Sequence, residues 1–174
     1  MTSLVSDLLL LARLDSGRPL RRETVDLTRL LIETTADARV LAPTHRWVLD
    51  LPDHVVEVVG DERGLHQVLT NVLTNARKYT PAGTTVTVSA RDGWFAVHDD
   101  GPGFPEELLG TAFERFTRGD VARHREGGVG LGLALVAAIV AAHHGHVTLD
   151  SRPGDTTITV SLPTDRSPTM PSTR

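Results

Sequence analysis

The apolar residues at the start of the chain follow the spacing of an α-helix. Between residues 1 and 15 they recur every three or four positions and form one wide stripe. The members of this stripe are Leu4, Val5, Leu8, Leu9, Leu11 and Leu14. Gly17 and Pro19 end the helix. Because a helix with so wide an apolar stripe needs a partner surface, we expect it to pack against this chain or against another one.

Further along, helical and strand patterns alternate. Extended residues 20–27 lead to Asp26, a residue type that caps helix N-termini. The predicted helices cover residues 27–42, 61–79, 105–112 and 130–144, and the predicted strands cover residues 46–51, 55–59, 84–90, 94–98, 146–151 and 157–162. Residues 113–129 carry charges and glycines with little periodicity, which predicts a long mobile loop.

This order of elements predicts an α+β fold. Hairpin signals such as Asp92-Gly93 join several of the strands, so the sheet should be mostly antiparallel. Helices should cover one face and make a two-layer α/β sandwich, preceded by the lone first helix. The other face of the sheet should be solvated or covered by that first helix.

Composition excludes several classes of protein. The 174 residues include no cysteine, which excludes a disulfide framework and cysteine-ligated metal sites. A formal net charge of −4 argues against nucleic-acid binding through a basic surface. No apolar run approaches the ~20 residues that cross a bilayer, so we expect a soluble, cytoplasmic chain without a membrane span. Lys78 is the only lysine beside 17 arginines.

The predicted helix 61–79 carries polar residues on one face. Asn71, Asn75 and Lys78 are spaced i, i+4 and i+7 and therefore lie on the same side. Two amide oxygens and one ammonium group suit a hydrated Mg²⁺ ion and a chain of phosphates. The alternative is a solvated helix face without a ligand.

Two glycine-containing segments could contact a nucleotide. Asp99 follows an apolar strand and could accept a hydrogen bond from an exocyclic amine such as that of adenine, while Gly101 and Gly103 allow the backbone to approach a flat ring. The alternative is an ordinary Asp-Gly turn. The second segment opens a helix and can bind anions through its N–H groups, or it can be a hinge. Its glycines are Gly127, Gly128, Gly130 and Gly132.

This second segment matches neither common nucleotide fingerprint. Leu133 stands where the dinucleotide motif has its third glycine, and the chain contains no Gly-Lys pair for a Walker A loop. The loop before it carries arginines that could clamp a γ-phosphate or could be solvated. These arginines are Arg115, Arg118, Arg123 and Arg125.

Three histidines surround Gly145 near the end of the last predicted helix. His143, His144 and His146 could suggest a metal site, but no second group of ligands lies nearby in sequence. Histidines at a helix C-terminus more often interact with its last carbonyls, with the glycine as the C-cap. We expect capping here.

The order and spacing of four segments resemble the nucleotide-binding domain of bacterial sensor histidine kinases, within the wider family of DNA gyrase B, Hsp90 and MutL. The segments resemble the N box (His66 to Pro81), the first glycine box (Asp99 to Phe104), the F box (Phe113 to Phe116) and the second glycine box (Gly128 to Leu133). The resemblance covers residues 20–163 and implies a Bergerat-type fold with a mixed sheet.

The resemblance also implies a set of site residues that bind ATP with Mg²⁺. The ATP-binding residues would be Asn71, Asn75, Lys78, Tyr79, Asp99, Gly101, Gly103, Arg123, Arg125, Gly128, Gly130, Leu131 and Gly132. Mg²⁺ would be held by Asn75 and Asn71, with Asn75 the firmer assignment. Asp99 would read the adenine amine beside Tyr79. Asn75, Lys78 and Arg118 would be the catalytic residues.

The first 19 residues resemble the end of the second helix of the dimerisation domain of such kinases, which packs against a second protomer. Residues 20–163 would then form the catalytic domain, and residues 164–174 a disordered tail. None of the eight histidines matches the family's phosphoacceptor box, which is expected upstream of Met1.

The function implied is transfer of the ATP γ-phosphoryl group to a histidine outside this sequence, and from there to an aspartate of a response regulator. The whole kinase would be anchored in a membrane, with this part in the cytoplasm. Two alternatives remain open: a non-catalytic ATP-binding regulator, and a serine kinase of the anti-sigma type. The predicted first helix disfavours the serine kinase.

Overall fold

The computed structural model describes residues 2–17, 19–116 and 130–164, with the side chains of residues 2–4 excepted. Within these ranges the helices are α1 Thr2–Asp15, α2 Leu27–Leu41, α3 Glu62–Tyr79, α4 Glu106–Leu109 and α5 Gly132–Ala142. The strands are β1 Glu23–Asp26, β2 Arg46–Asp50, β3 Glu57–Gly60, β4 Thr85–Arg91, β5 Trp94–Asp99, β6 His146–Arg152 and β7 Asp155–Ser161. None of these helices is long and apolar enough to cross a bilayer.

The strands form one large sheet and one small sheet. The large sheet has the order β2-β4-β5-β7-β6, in which β2 and β4 are parallel and the other neighbours are antiparallel. The small sheet pairs β1 with β3 in antiparallel register. The predicted mixed, mostly antiparallel sheet is therefore confirmed. Two strands that follow each other in sequence, β2 and β3, belong to different sheets.

The large sheet has one buried and one solvated face. In β4 the side chains of Val86, Val88 and Ala90 are buried, and the alternate Thr85 and Thr87 are partly exposed. The buried residues pack against apolar residues of the helices in one core. This alternation is what a sheet with helices on a single face requires.

The first helix lies on the helical side of the sheet. It contacts α5, and its Leu11 is only 2% exposed. Of the two predicted alternatives for the opposite face of the sheet, the solvated face is the one observed, because α1 packs on the apolar surface of α5. Leu10 and Leu14 are partly buried against the core, and Val5, Leu8 and Leu9 remain exposed.

Helix α3 has the boundaries that its sequence predicts. The Asp61 carboxylate accepts a hydrogen bond from the N–H of Gly64 at 2.9 Å and caps the first turn. The apolar stripe of the helix is buried at helical spacing. Its members are Leu65, Val68, Leu69, Val72, Leu73 and Ala76.

Helices α4 and α5 are both shorter than predicted. Helix α4 has one turn, and α5 begins at Gly132 because Gly130 has a left-handed φ of 74°. At the end of α5 the left-handed residue is His144, with φ of 59°, and not Gly145 as expected. Gly145 is needed for another reason, since a Cβ there would lie 2.4 Å from the carbonyl oxygen of Ser161 in β7.

His143 joins the C-terminus of α5 to the N-terminus of α3. Its buried ring donates from Nδ1 to the carbonyl of Ile139 at 2.7 Å, and its Nε2 accepts from the N–H of Asp61 at 2.9 Å. A Cβ at Gly60 would lie 2.6 Å from the ring, and a Cβ at Gly64 would lie 3.2 Å from it. The predicted capping role is confirmed for His143, which also connects two helices.

We expect His143→Leu to lower the free energy of unfolding by about 1–3 kcal/mol, because the partly buried N–H of Asp61 would lose its partner and the carbonyl of Ile139 would keep only the backbone N–H of residue 143. Chemical denaturation monitored by circular dichroism measures this change. His146→Leu, at an exposed position of β6, is the matched control. Equal stability of the two variants would contradict the assigned role of His143.

Candidate functional site

The most unusual side chain of the core is the carboxylate of Asp99. It lies at the end of β5 between β4 and β7 and is only 8% exposed. Its Oδ1 accepts a hydrogen bond from the N–H of Gly101 at 3.1 Å. Among the described residues no group donates to its Oδ2, so this oxygen can accept a hydrogen bond from a ligand.

The environment of Asp99 shifts its ionisation. Burial is the largest cause and raises the pKa of the Asp99 carboxyl above its ordinary value of 3.8. The N–H of Gly101 and the nearby rings of His98 and His45 oppose this rise in the pKa. The site thus contains a carboxylate that has lost most of its water and can accept a hydrogen bond. Such a group distinguishes ligands that donate a hydrogen bond to it from ligands that do not.

The loop after Asp99 requires glycine at two positions. A Cβ at Gly101 would lie 2.6 Å from the methyl carbon of Thr80, and Gly103 has a φ of +83° and lies against the backbone of Arg152. The turn between β6 and β7 holds this loop, since the N–H of Gly154 donates to the carbonyl of Gly101 at 2.8 Å. The loop is therefore fixed from both sides, by α3 and by the β6–β7 turn.

The polar face of α3 lies next to the start of α5. The Asn71 amide nitrogen donates to the carbonyl of Gly132 at 3.3 Å, and its oxygen accepts from Gln67 at 3.2 Å. One turn later, Asn75 is half-buried, and within the described part of the chain its side chain makes no hydrogen bond. Lys78 and Tyr79 are exposed at the end of the helix.

The described part of the second glycine box is Gly130 to Leu133. Leu131 is 3% exposed and anchors this segment in the core, so it contributes backbone and packing and not an exposed side chain. A Cβ at Gly132 would meet no atom of the described residues within 4 Å, so these residues leave space at the first turn of α5. The carbonyl of Gly130 accepts a hydrogen bond from the N–H of Phe116 at 3.0 Å.

Four of the predicted site residues, Arg118, Arg123, Arg125 and Gly128, lie outside the described residues. Arg115, which precedes them, forms an ion pair with Asp15 at the end of α1, at 2.6 Å. Its guanidinium group is therefore directed to the first helix. An exposed pair of this kind contributes only about 0–1 kcal/mol to stability.

The structure brings the described site residues together from three parts of the chain. Asp99 and its glycines, the second half of α3 and the start of α5 are connected by the Thr80–Gly101 contact and by the Asn71–Gly132 hydrogen bond. The sequence patterns assign no role to Thr80 or to His45. In the structure, Nε2 of His45 lies 2.9 Å from Oγ1 of Thr80 and forms a hydrogen bond with it. No periodic signal marks such a contact, because the two residues are 35 positions apart.

The side-chain oxygens of this site suit a purine nucleotide with Mg²⁺. The free oxygen of Asp99 suits an exocyclic amine, and the amide oxygen of Asn75 is a ligand type that Mg²⁺ accepts. A groove of about 610 Å³ lies elsewhere on the molecule and includes none of these residues. Arg21, Glu23, Glu33 and Arg63 line it with charges of both signs, so it offers no convergent set of groups for one ligand.

Comparison with known proteins places these features in a family. A family model described as "Histidine kinase-, DNA gyrase B-, and HSP90-like ATPase" matches residues 60–166. The probable sensor histidine kinase TcrY of Mycobacterium tuberculosis is 52% identical over 170 residues, which are 95% of this chain and 36% of TcrY. The chain thus spans about a third of the length of this curated relative.

Solved structures with the same fold include a sensor histidine kinase and full-length ShkA. The mycobacterial sensor histidine kinase MprB has a TM-score of 0.70 and 31% identity, over 82% of this chain and 97% of that one. Full-length ShkA in complex with AMPPNP has a TM-score of 0.74 and 31% identity, over 92% of this chain and 35% of that one. These similarities confirm the predicted α+β architecture.

We expect Asp99→Asn to leave the thermal midpoint at neutral pH at least as high as that of the native chain. A raised folded-state pKa means that the protonated carboxyl stabilises the fold below 3.8 and that this contribution is lost as the pH rises through the raised value. The neutral amide carries no desolvated charge, and its oxygen can still accept from Gly101. The difference should shrink as the pH falls to about 4.

Thermal unfolding followed by circular dichroism at several pH values measures this effect. Asp37→Asn, at an exposed position of α2, is the control for the loss of one negative charge. A lower midpoint for Asp99→Asn than for Asp37→Asn at neutral pH would contradict the account of the buried carboxylate.

Proposed function

Because the chain belongs to the histidine kinase-, DNA gyrase B- and HSP90-like ATPase family, we propose that it is the catalytic ATP-binding part of a sensor histidine kinase. The observation that carries this proposal is the buried Asp99 carboxylate, which keeps one oxygen available beside the two glycines and the end of α3. ShkA, which shares the fold, is described in complex with the ATP analogue AMPPNP.

Adenine would bind at Asp99. The free carboxylate oxygen accepts a hydrogen bond from the 6-amino group, and the absence of a Cβ at Gly101 and Gly103 keeps the loop close to its neighbours. Tyr79, which is 39% exposed at the end of α3, offers an aromatic ring to the base. A site that hydrogen-bonds the amine discriminates strongly against nucleotides that lack it.

Mg²⁺ would be held by the amide oxygens of α3. Asn75 is the main ligand of this proposal, because its half-buried side chain makes no hydrogen bond within the described residues. Asn71 also orients the start of α5 through Gly132, and its oxygen retains a second lone pair for the ion. When bound there, Mg²⁺ would offset the negative charge of the phosphates.

The phosphate chain would extend from Asn75 towards the start of α5. The N–H groups near Gly130, Leu131 and Gly132 lie at a helix N-terminus, where anions are stabilised. Lys78 adds a positive charge at the end of α3. Gly128, Arg118, Arg123 and Arg125 complete the proposed set from the residues outside the described ranges.

The acceptor would be an imidazole nitrogen of a histidine outside this sequence. It attacks the γ-phosphorus, a nitrogen–phosphorus bond forms and ADP leaves, in a reaction that depends on positioning and charge stabilisation. The exposed side chains Val5, Leu8 and Leu9 of α1 would face a second protomer. A response regulator would receive the phosphoryl group in the cytoplasm, from a whole kinase that is anchored in a membrane.

The test combines the chain, radiolabelled ATP with Mg²⁺, and a separately purified dimerisation-domain fragment that carries a phosphoacceptor histidine. We expect label on histidine with the native chain. Asn75→Ala should reduce the rate at least about 100-fold, because a charge-stabilising contact is lost. Thr70→Ala, at an exposed position of the same helix, is the matched control and should transfer at the native rate.

Two results would contradict the proposal. ATP binding without any transfer would identify a non-catalytic regulator, and label on serine of a small partner protein would identify a serine kinase. Equal rates for Asn75→Ala and Thr70→Ala would remove Asn75 from the site.

A further inference from the structure

Thr80 lies between the end of α3 and the loop that follows Asp99. Its hydroxyl group donates to the carbonyl of Ala76, and its methyl carbon would lie 2.6 Å from a Cβ at Gly101. The N–H of Gly101 in turn holds Oδ1 of Asp99. A rotation of the Thr80 side chain would therefore displace the backbone that orients the Asp99 carboxylate.

His45 forms a second hydrogen bond with the Thr80 side chain. Its Nε2 lies 2.9 Å from Oγ1 of Thr80, and the single proton of that hydroxyl is already donated to Ala76. The ring must therefore donate from Nε2–H. Its Nδ1 is buried and has no partner within the described residues, so the bond to Thr80 is the one hydrogen bond that the ring makes there.

The position of the His45 ring is itself fixed. Its backbone N–H donates to the carbonyl of Ala42 at 3.2 Å. The ring centroid lies 6.1 Å from that of Trp47, whose indole N–H also donates to Ala42, at 3.1 Å. The ring thus forms a fixed support for the Thr80 side chain.

We propose that His45 is a positioning residue for nucleobase recognition, acting through Thr80 and Gly101 on the orientation of Asp99. This inference rests on the proposed function, in which Asp99 accepts a hydrogen bond from the adenine amine. Loss of the His45–Thr80 bond loosens the Thr80 side chain, so the carboxylate is no longer held in one direction. The preference for adenine over a base without the amine then falls.

The test compares ATP with inosine 5′-triphosphate, which has a carbonyl in place of the 6-amino group, by calorimetry with Mg²⁺. His45→Phe keeps the ring beside Trp47 and removes the donor. It should weaken ATP binding about five- to tenfold and change inosine triphosphate binding less than about twofold. His45→Gln places an amide N–H at the same number of bonds from Cβ and should restore the native ratio within about twofold.

Three further variants test the route and the specificity of the effect. Thr80→Val removes the bond to His45 and also the bond to Ala76, so it should lose at least as much ATP affinity as His45→Phe. The double variant should bind no more weakly than Thr80→Val alone, because the His45–Thr80 bond is already absent there. His54→Phe is the control, since His54 pairs with Asp92 at the surface and should leave both affinities unchanged. Native ATP affinity in His45→Phe, or an equal loss for both nucleotides, would overturn the inference.

Amide spectra of the ligand-free chain separate this inference from the proposed function. The resonance of Gly101 should move in His45→Phe and Thr80→Val, return towards the native position in His45→Gln, and stay unchanged in His54→Phe. An unmoved Gly101 resonance in His45→Phe would refute the positioning role whether or not ATP binds. Failure of the native chain to bind ATP would refute the proposed function, and these spectra would still decide on His45.

Discussion

The antiparallel packing of α3 against α5 is the contact on which the site depends. Hydrogen bonds join the two helices at both ends of α5. At its C-terminus, His143 accepts from the N–H of Asp61. At its N-terminus, the carbonyl of Gly132 accepts from the Asn71 side chain of α3. Between these ends the two helices bury apolar side chains in the common core. The pairing brings the N-terminus of α5 next to the polar face of α3 and so defines where a phosphate chain could lie.

A second constraint is the charge of Asp99 inside an apolar sheet. Its cross-strand neighbours are the buried residues Val86 on β4 and Thr156 on β7, and Val97 precedes it by two residues along β5. The carboxylate therefore loses hydration that the single N–H of Gly101 replaces only in part. The site therefore reduces the stability of the folded chain at neutral pH. A ligand amine would compensate for this loss, which explains why a buried acceptor with a free oxygen favours one base over another.

Local features of the fold could be predicted from the sequence, and contacts between distant residues could not. The stripe of α3 and the alternation of β4 follow from periods of 3.6 and 2 and match the structure. The separation of β2 and β3 into two sheets, the packing of α1 on α5 and the His45–Thr80 bond carry no such signal. They arise from the geometry of the assembled core. The sequence pattern marks the glycines of the first box. It does not show that they lie against Thr80 and the backbone of Arg152, which only the three-dimensional structure shows.

The location of the bound nucleotide is the central claim, and amide chemical-shift mapping with ATP and Mg²⁺ on the isotope-labelled chain tests it most directly. The account predicts that the largest changes fall on Gly101, Gly103 and Gly132, and on the end of α3 near Asn75. Changes confined to the groove at the other end of α3, around Arg63 and His66, would contradict it.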